Sequence, residues 1–359
     1  MSKIIYLNGR FLTQPITGVQ RVAFELVLAL DELLEEGSIP KNEQTFFLIY
    51  SGKLVNSISL KHIKLLKKGF LQGNLWEQIE LPMYTYGCLL LSFCTISCLI
   101  KRKQIVFIHD ASVFVNPSFF TPVFRIWYKF ALIWLSKTAR CIITVSEFSK
   151  NELVKHAGFK RHAIKVIYNA GEHILKNVEP DFHFKTKISN LKPYCLAVSS
   201  LSLNKNFNGL SEAIVKSDFK KYNMLIAGGT MSTLKVVDSS DNVTYLGYVS
   251  DAELKFLYCN AALFIFPSFY EGFGIPPIEA MLSGCPVMAS ATSSLPEILG
   301  NACYYFDPND TTEIAEIITR LLENDNERTK LREIGYIQAE KYNWKKSALE
   351  LYNISISYW

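Results

Sequence analysis

The stretch FPSFYEGFGIPPIEAMLSGCP, residues 266–286, decides the fold. The apolar run that leads into it, 262–266, predicts a buried strand, and residues 286–290 predict the next one. Between them, Pro276 and Pro277 suit the first turn of a helix, where a missing N–H costs nothing and φ is already set. A strand, a glycine-containing loop and a helix N-terminus together offer backbone N–H groups and a helix dipole to a phosphate.

Two carboxylates frame this loop. Glu271 precedes the glycines, and Glu279 lies in the first helical turn. A carboxylate beside phosphate-binding amides would repel the phosphate, so Glu279 is predicted to accept hydrogen bonds from ribose hydroxyls. Alternatively, Glu279 complements the helix dipole and Glu271 is a solvated loop residue. Since proline has no N–H, the predicted phosphate donors are the amides of Gly272, Phe273, Gly274, Ile275, Ile278 and Glu279.

The sequence EGFGIPPIEAMLSGCPV, residues 271–287, closely resembles the donor-site signature of retaining GT-B glycosyltransferases of the GT4 type, or glycosyl transferases group 1. The resemblance covers nearly the whole chain. It implies an α/β protein in which two Rossmann-like, doubly wound domains face a cleft. The acceptor-side domain is expected at 1–170, with a C-terminal helix at 342–359 packing back onto it, and the donor domain at 171–341.

Alternating strands and helices predict the first Rossmann-like half from the residues themselves. A strand at 3–11 is followed by Thr17, Gly18 and a helix at 19–34 with apolar residues at helical spacing. The resemblance implies that the loop with Gly18, and with less support Arg21, approaches the donor diphosphate across the cleft. Turn geometry alone is the alternative explanation of Gly18.

Polar residues follow the apolar strand predicted at 104–108. His109 and Asp110 come at its carboxyl end, where open parallel sheets bind ligands. His109 is expected to donate to a hydroxyl, and Asp110 to orient it or to take a proton from an acceptor. The alternative is an ordinary Asx or helix-capping turn. The resemblance implies that His109 and Glu271 hold the donor sugar's hydroxyls as positive charge develops at its anomeric carbon; Glu271 is not assigned as a covalent nucleophile.

The second half begins with a strand at 195–199 and a basic loop at 201–206. These match the family's strand and loop that grip the donor phosphate, with Lys205 at the matching lysine. The family commonly has arginine where this chain has Ser200, which is kept as a donor-binding position, and many relatives have another at Asn204. Because these cations are missing, phosphate binding is expected to depend more on Lys205 and on backbone amides.

The nucleobase is expected at the turn that follows a strand at 243–246. Gly247, Tyr248 and Val249 look like the family's base-binding turn, where backbone atoms and a neighbouring side chain meet the base. No D-x-D pair occurs, so neither a metal nor another cofactor is expected. The leaving-group charge then falls on Lys205 and on amides near Gly274 and Gly18.

The charge is unevenly distributed along the chain. Residues 1–170 hold 21 Lys and Arg against 11 Asp and Glu, which gives +10, whereas 171–359 hold 17 against 22, which gives −5. The basic half is therefore expected to meet a lipid phosphate or a membrane surface, and a chance excess of solvated lysines is the alternative; no nucleic-acid motif accompanies it. An amphipathic, aromatic and basic helix at 122–137 suits a membrane interface or a lipid-linked acceptor, and packing against the sheet is the alternative.

Compartment and membrane topology are the next expectations. The eight cysteines contain no C-x-x-C and mostly lie in apolar runs, which favours a reducing cytoplasm over disulfides or zinc. Residues 1–3 lead directly into a strand, so no signal peptide is predicted. The uncharged stretch 81–100 is interrupted by Pro82 and Gly87, which favours a short helix and a buried strand over a membrane span. A cytoplasmic protein is expected, peripheral to the inner face of the membrane.

The resemblance implies a retaining glycosyltransferase, and the lack of a D-x-D pair favours a metal-independent one. It would move a hexose or deoxyhexose from a nucleotide-diphosphate sugar to a saccharide acceptor, linked to polyprenyl diphosphate, in cell-surface polysaccharide synthesis. The run S-L-x-x-x-K-N at 200–206 and the H-D strand end resemble the mannosyl and deoxyhexosyl subset, which favours GDP-mannose. The rivals are a catalytically silent GT-B subunit that supports a partner transferase and a nucleotide-sugar epimerase. A dehydrogenase is disfavoured because no G-x-G-x-x-G follows the first strand.

Overall fold

The computed structural model describes residues 3–41, 43–176, 178–198, 202–217, 219, 221–228 and 242–359. The chain divides into two compact units. Unit 1 comprises residues 1–169 and 343–359, and unit 2 comprises residues 170–342. Each predicted domain boundary lies one residue from a unit boundary.

Unit 1 is built on a parallel sheet that has seven strands among the described residues, in the order β3-β2-β1-β4-β5-β6-β7. Its strands are rich in Leu, Ile, Val and Phe because helical crossovers cover a parallel sheet on both faces. The strands are β1 (Lys3–Asn8), β2 (Gln44–Tyr50), β3 (Lys64–Lys67), β4 (Leu89–Ser92), β5 (Gln104–Phe107), β6 (Cys141–Thr144) and β7 (Ile164–Val166).

The helices of unit 1 connect these strands, and the last one returns from the C-terminus. In chain order they are α1 (Gly18–Glu36), α2 (Gly73–Leu75), α3 (Leu81–Tyr84), α4 (Ser112–Val115), α5 (Pro122–Thr138) and α6 (Glu147–Ala157), with the C-terminal helix Trp344–Ser357 packed beside α1. Two hydrogen bonds fix that last helix: Tyr352 Oη donates to Gln44 Oε1 at 2.9 Å and Ser347 Oγ donates to the Tyr168 carbonyl at 2.7 Å. The predicted return of the C-terminal helix is therefore what the structure shows.

Unit 2 repeats the architecture with six parallel strands in its described part, in the order β10-β9-β8-β11-β12-β13. The strands are β8 (Tyr194–Val198), β9 (Asn223–Ala227), β10 (Val243–Gly247), β11 (Leu263–Phe266), β12 (Val287–Ser290) and β13 (Tyr304–Phe306). The helices are α7 (Phe182–Ser189), α8 (Phe207–Lys216), α9 (Asp251–Asn260), α10 (Ile275–Leu282), α11 (Leu295–Leu299), α12 (Thr311–Glu323) and α13 (Asp325–Ala339), and the C-terminal helix of unit 1 becomes α14. The predicted pair of Rossmann-like halves is confirmed.

Two segment predictions are wrong. The lysine-rich sequence of residues 61–68 predicts a basic turn or short helix, but Lys64–Lys67 is the edge strand β3, paired with β2 from Phe47–Lys64 to Tyr50–Lys67. The buried Asp31 carboxylate accepts the backbone N–H groups of residues 61, 62 and 63 at 2.7–2.8 Å, which holds the chain extended before the strand. Lysines are tolerated there because charged side chains suit a sheet edge.

The polar sequence of residues 172–190 predicts a linker between the two halves, and this second prediction is also wrong. Glu172–Leu175 forms a 3-10 turn, and the His173 side chain within it is buried. The helix α7 follows, capped by Asp181, whose Oδ1 accepts the Phe184 N–H at 2.8 Å. The segment looks like a linker in sequence because α7 buries only one residue, Ile188, and is otherwise polar or partly exposed.

The segment 81–100 behaves as predicted. It contains the short helix α3 and the buried strand β4, which pairs with β1 and β5. Over the part of the chain that the structure describes, every helix is too short or too polar to cross a membrane.

Candidate active site

The order of strands in unit 2 reverses between β8 and β11, since β9 and β10 lie on one side of this pair and β12 and β13 on the other. Open parallel sheets bind ligands at such a switch point, outside the carboxyl ends of the strands. The loop after β8 carries Lys205, and the loop after β11 carries Glu271. The two side chains meet there: Lys205 Nζ donates to Glu271 Oε1 at 2.6 Å.

This ion pair is held in place by its own loops. The Lys205 and Glu271 side chains are only 17% and 13% exposed, so water screens their attraction less than that of a surface pair. Ser293 Oγ accepts the Glu271 N–H at 3.0 Å, and Ser294 Oγ donates to the Glu271 carbonyl at 3.0 Å. The two loops are also joined directly, because the Asn204 carbonyl accepts the Phe269 N–H at 2.8 Å.

The glycine loop needs a residue without a side chain at Gly274. Its φ is +91°, a left-handed conformation that strains any residue with a side chain, and a Cβ there would lie 2.7 Å from Leu295 Cδ2, which would have to shift. Phe273 anchors the loop by burying its ring edge-on to Tyr342, with the centroids 5.3 Å apart. Helix α10 begins directly after, at Ile275, as the prolines predict.

The helix geometry shortens the predicted set of phosphate donors. With Gly274 as the N-cap, the cap carbonyl accepts the first intrahelical hydrogen bond, from Ile278, and Ile275 accepts the next, from Glu279. These two amides therefore have hydrogen-bond partners within the helix. Of the remaining donors, the amides of Gly274 and Ile275 have no hydrogen bond within the described residues.

Glu279 lies in a buried hydrogen-bond cluster that the sequence did not reveal. Its Oε1 is 2.8 Å from His173 Nε2, and its Oε2 accepts from Tyr258 Oη at 3.0 Å. Burial and the neighbouring carboxylate raise the pKa of Tyr258 well above its ordinary value, so the phenol keeps its proton and donates. Each carboxylate oxygen keeps a second lone pair, which leaves Glu279 able to accept a ligand hydroxyl.

His173 and Tyr258 are positioned by separate elements. Tyr258 lies on α9, and His173 lies in the turn that follows the start of unit 2. Gly171 allows that turn to lie against α10, since a Cβ there would be 3.1 Å from the Glu279 nitrogen. No local pattern could have predicted either partner, because they lie 106 and 21 residues from Glu279 along the chain.

Of the other two residues predicted to bind the donor in unit 2, Tyr248 and Ser200, only Tyr248 lies within the described residues. Tyr248 follows β10 directly after Gly247, whose φ is +71°, and its side chain is 77% exposed. Ser200 lies outside the described residues. Asn204 Oδ1 accepts from Ser202 Oγ at 2.6 Å, so the position where many relatives carry arginine forms a local turn in this chain.

In unit 1 the predicted residues lie at the carboxyl edge of the other sheet. Gly18 is the first residue of α1, and a Cβ there would meet no atom within 4 Å. Arg21 lies one turn later and pairs with Glu25 at 3.2 Å. His109 and Asp110 follow β5. The structure thus brings Lys205 and Glu271 together at the switch point of unit 2 and places Gly18, His109 and Asp110 at the carboxyl edge of the unit 1 sheet.

The hydrogen bond of His109 changes its expected role. Its Nε2 lies 2.7 Å from the Phe93 carbonyl, which can only accept, so Nε2 carries the proton. Burial lowers the pKa of His109, which keeps the ring neutral and leaves Nδ1 as an acceptor. The expected donation to a hydroxyl is therefore replaced by acceptance. Asp110 Oδ1 accepts the Ser112 N–H at 2.8 Å, which is the Asx turn of the alternative interpretation.

Comparison with known proteins identifies the family. The sequence model of Glycosyl transferases group 1 matches residues 178–338, and that of Glycosyltransferase Family 4 matches residues 85–170. O-antigen chain mannosyltransferase B of Escherichia coli is 30% identical over 266 residues, which cover 70% of each chain. The chain belongs to the glycosyl transferases group 1. A second member, O-antigen chain mannosyltransferase RfbU of Salmonella typhimurium, is 35% identical over 217 residues, or 58% of each chain.

Solved structures confirm the GT-B fold of this glycosyltransferase. The sucrose-phosphate synthase of Thermosynechococcus elongatus superposes with a TM-score of 0.74 at 17% identity, covering 99% of both chains. WaaG, a glycosyltransferase involved in lipopolysaccharide biosynthesis, superposes with a TM-score of 0.72 at 13% identity, covering 98% of this chain and 99% of WaaG. At these identities the likeness establishes the fold alone. The family membership and its mannosyltransferase members confirm the predicted enzyme class, a hexosyltransferase.

The cluster around Glu279 predicts a stability effect. Replacing His173 by alanine removes a hydrogen bond to a buried carboxylate, and we expect a loss of about 2 kcal/mol in the free energy of unfolding of unit 2. The matched control is His183→Ala, since His183 is exposed in the same unit and its loss should cost little. Thermal unfolding followed by circular dichroism measures both. Equal melting temperatures for the two variants would contradict the proposed role of His173 in supporting Glu279.

Proposed function

We propose that this glycosyltransferase moves mannose from GDP-mannose to a saccharide acceptor in cell-surface polysaccharide synthesis, with retention of anomeric configuration and without a metal. The proposal rests on the Lys205–Glu271 ion pair at the switch point of unit 2. Lys205 is a cation that can bind a diphosphate, and Glu271 beside it is a carboxylate that can accept hydrogen bonds from sugar hydroxyls. The mannosyl part is supported by the names of the two relatives, both O-antigen chain mannosyltransferases.

Each part of the donor would then meet its own group. The diphosphate takes hydrogen bonds from Lys205 Nζ and from the amides of Gly274 and Ile275 at the start of α10. The ribose hydroxyls donate to Glu279, which His173 and Tyr258 hold in place from the far side. The base lies at the turn that carries Tyr248.

The transfer breaks the bond between the anomeric carbon and the diphosphate oxygen and forms a bond from the acceptor oxygen to that carbon; the proton of the acceptor hydroxyl passes to the departing diphosphate. Negative charge grows on the departing GDP, next to Lys205. One fixed donor of this kind contributes roughly 10²–10³ in rate. Glu271 Oε1 already binds Lys205, so its Oε2 is the oxygen that accepts the sugar hydroxyls as positive charge develops on the ring.

The acceptor is proposed to be a saccharide on a lipid diphosphate, with unit 1 lying on the membrane surface. Helix α5 supports this. Its packing face is Ala131, Leu132 and Leu135, which are buried. This packing leaves Trp127, Phe130 and Trp134 40%, 52% and 44% exposed, in a row with ring centroids 6.1 Å apart, and Trp134 Nε1 donates to the Leu99 carbonyl at 2.9 Å. Arg125, Lys129 and Lys137 on the same helix suit anionic lipid headgroups.

The donor prediction is tested by ligand-induced thermal shifts. In buffer with EDTA, GDP and GDP-mannose are expected to stabilise the wild type, by about 2.7 kcal/mol at 100 times their dissociation constant, whereas UDP and UDP-glucose are not. A shift with uridine nucleotides alone would contradict the choice of base. A shift that needs Mg²⁺ or Mn²⁺ would contradict metal-independent binding.

The role of Glu279 is tested with a ligand that lacks the ribose hydroxyls. Wild type should bind GDP about ten- to a hundredfold more tightly than 2′,3′-dideoxy-GDP, since hydrogen bonds to a charged group are worth about 1.5–3 kcal/mol. In Glu279→Ala the two ligands should bind alike, whereas Glu316→Ala, an exposed site in the same unit, should keep the wild-type ratio. If Glu279→Ala still binds GDP more tightly than 2′,3′-dideoxy-GDP, Glu279 does not bind the ribose hydroxyls.

The membrane surface is tested by sedimentation with phosphatidylglycerol vesicles. Trp127→Ala with Phe130→Ala removes two exposed rings, and we expect about a tenfold or greater loss of vesicle binding. Tyr336→Ala with Ile337→Ala is the control, because these residues are exposed apolar side chains on a helix of unit 2. Equal loss in both double variants, or none in either, would rule out α5 as the membrane contact.

A further inference from the structure

Two adjoining cavities lie at the carboxyl edge of the unit 1 sheet, with volumes of about 650 and 420 Å³. They share Ser51, Gly52, Lys53 and Gln72, and together we name them the β2–β3 groove. Strand register assembles it: Asn8 pairs with Ile49 and Tyr50 pairs with Lys67, so the segments that follow β1 and β2 meet the end of β3. Arg10, Lys53 and Lys67 reach its walls in this way.

The lining of the β2–β3 groove carries cations and no carboxylate. Lys53 and Lys67 are exposed and have no ion pair within the part of the chain that the structure describes. Two acidic residues lie near the groove, and one of them, Glu77, forms an ion pair with the lining residue Arg10, so Lys53 and Lys67 supply the unpaired charge. Glu77 is fully buried and accepts from Asn8 Nδ2 at 2.6 Å and from Arg10 Nη1 at 2.5 Å. Glu80 accepts the backbone N–H groups of residues 70 and 71. The groove therefore presents net positive charge to a ligand.

The wall formed by residues 68–73 is fixed without a ligand. Ser51 Oγ donates to the Leu71 carbonyl at 2.6 Å, and Trp76 Nε1 donates to the Lys68 carbonyl at 2.8 Å. Glu80 Oε2 receives the Phe70 and Leu71 N–H groups at 3.0 and 2.9 Å. A wall that is ordered in advance lowers the entropic cost of binding. These bonds mark the groove as a preformed site rather than a gap between mobile loops.

The side chains also indicate what kind of anion fits. Ser51 and Gln72 add polar groups to the three cations, while the Phe70 ring, 94% exposed, stands at the rim. Two unpaired lysines suit a group with more than one negative charge, such as a phosphate monoester or a diphosphate. The neighbouring ring suits a ligand that is apolar beyond its phosphate. A purely polar anion would make no apolar contact with the Phe70 ring.

We infer that the β2–β3 groove binds the phosphate or diphosphate group of the acceptor, through Lys53 and Lys67 with Arg10 behind them. The identification of the ligand as the acceptor rests on the proposed function; the anion site itself does not. The same chemistry is offered by a polyprenyl diphosphate headgroup and by a free diphosphate, and the experiment below separates these sources.

The test is site-resolved lysine labelling of the full-length wild-type protein. The protein is treated briefly with acetic anhydride, alone or with farnesyl diphosphate, inorganic diphosphate or farnesol, and acetylation is quantified for each lysine by mass spectrometry. Farnesyl diphosphate at ten times its dissociation constant should slow acetylation of Lys53 and Lys67 about tenfold, because about one site in ten stays free. Lys155 and Lys160, exposed lysines of unit 1 outside the groove, are internal controls and should not change.

Each outcome decides the inference. Protection of Lys53 and Lys67 by farnesyl diphosphate alone supports a lipid-linked anion, and protection by inorganic diphosphate as well supports the phosphate group as the determinant. Protection by neither, by farnesol equally, or at the two control lysines equally, overturns the inference. Binding at Lys205 does not interfere, because protection is read at each lysine separately. If GDP does not bind, the proposed function is contradicted, but the protection of Lys53 and Lys67 still tests the anion site.

A charge-reversal variant tests the same site by affinity. In Lys53→Glu with Lys67→Glu, binding of farnesyl diphosphate should weaken about tenfold or more, while the GDP-induced thermal shift stays as in wild type. Lys155→Glu with Lys160→Glu makes the same change in net charge and should leave both affinities unchanged. Equal weakening in the two double variants would reduce the effect to long-range electrostatics and overturn the inference.

Discussion

The Lys205–Glu271 ion pair joins the two loops that leave the central strands of unit 2, and the candidate site depends on it. The polarity of a parallel sheet places both loops at the same edge, and the reversal of strand order separates the helices that follow them. A cation and a carboxylate can then lie side by side in a partly buried position. In the proposed donor site, Lys205 would also bind phosphate, and the second carboxylate oxygen of Glu271 would accept sugar hydroxyls.

Residues that a nucleotide would not touch hold Glu271 and Glu279 in place. Ser293 and Ser294 fix the backbone of Glu271, and Gly274 allows the loop to pass close to α11. His173 and Tyr258 hold Glu279 from behind. Since His173 lies four residues after the boundary between the units, the start of unit 2 is tied directly to the proposed ribose acceptor. A substitution at that boundary can therefore alter nucleotide binding without contacting the nucleotide.

The sequence predicted the elements whose residues are dictated locally. Apolar runs marked the central strands, and Pro276 and Pro277 marked the start of α10. It failed where long-range contacts decide the outcome. The lysine-rich β3 is a strand because β2 pairs with it and Asp31 holds the preceding backbone. The partners of Glu279, and the Phe93 carbonyl that sets the tautomer of His109, lie far away in the chain. The sequence placed Lys205 and Glu271 in loops that follow two strands of unit 2, but it did not show that their side chains form an ion pair.

The measurement that tests the central claim most directly is the affinity ratio of GDP to GMP in wild type and in Lys205→Ala, obtained by isothermal titration calorimetry. If Lys205 binds the second phosphate, wild type prefers GDP and the variant loses about a factor of ten or more of that preference. Lys330→Ala, an exposed lysine of unit 2, should keep the wild-type ratio. An unchanged preference for GDP in Lys205→Ala would contradict the assignment of the switch-point ion pair as the diphosphate site.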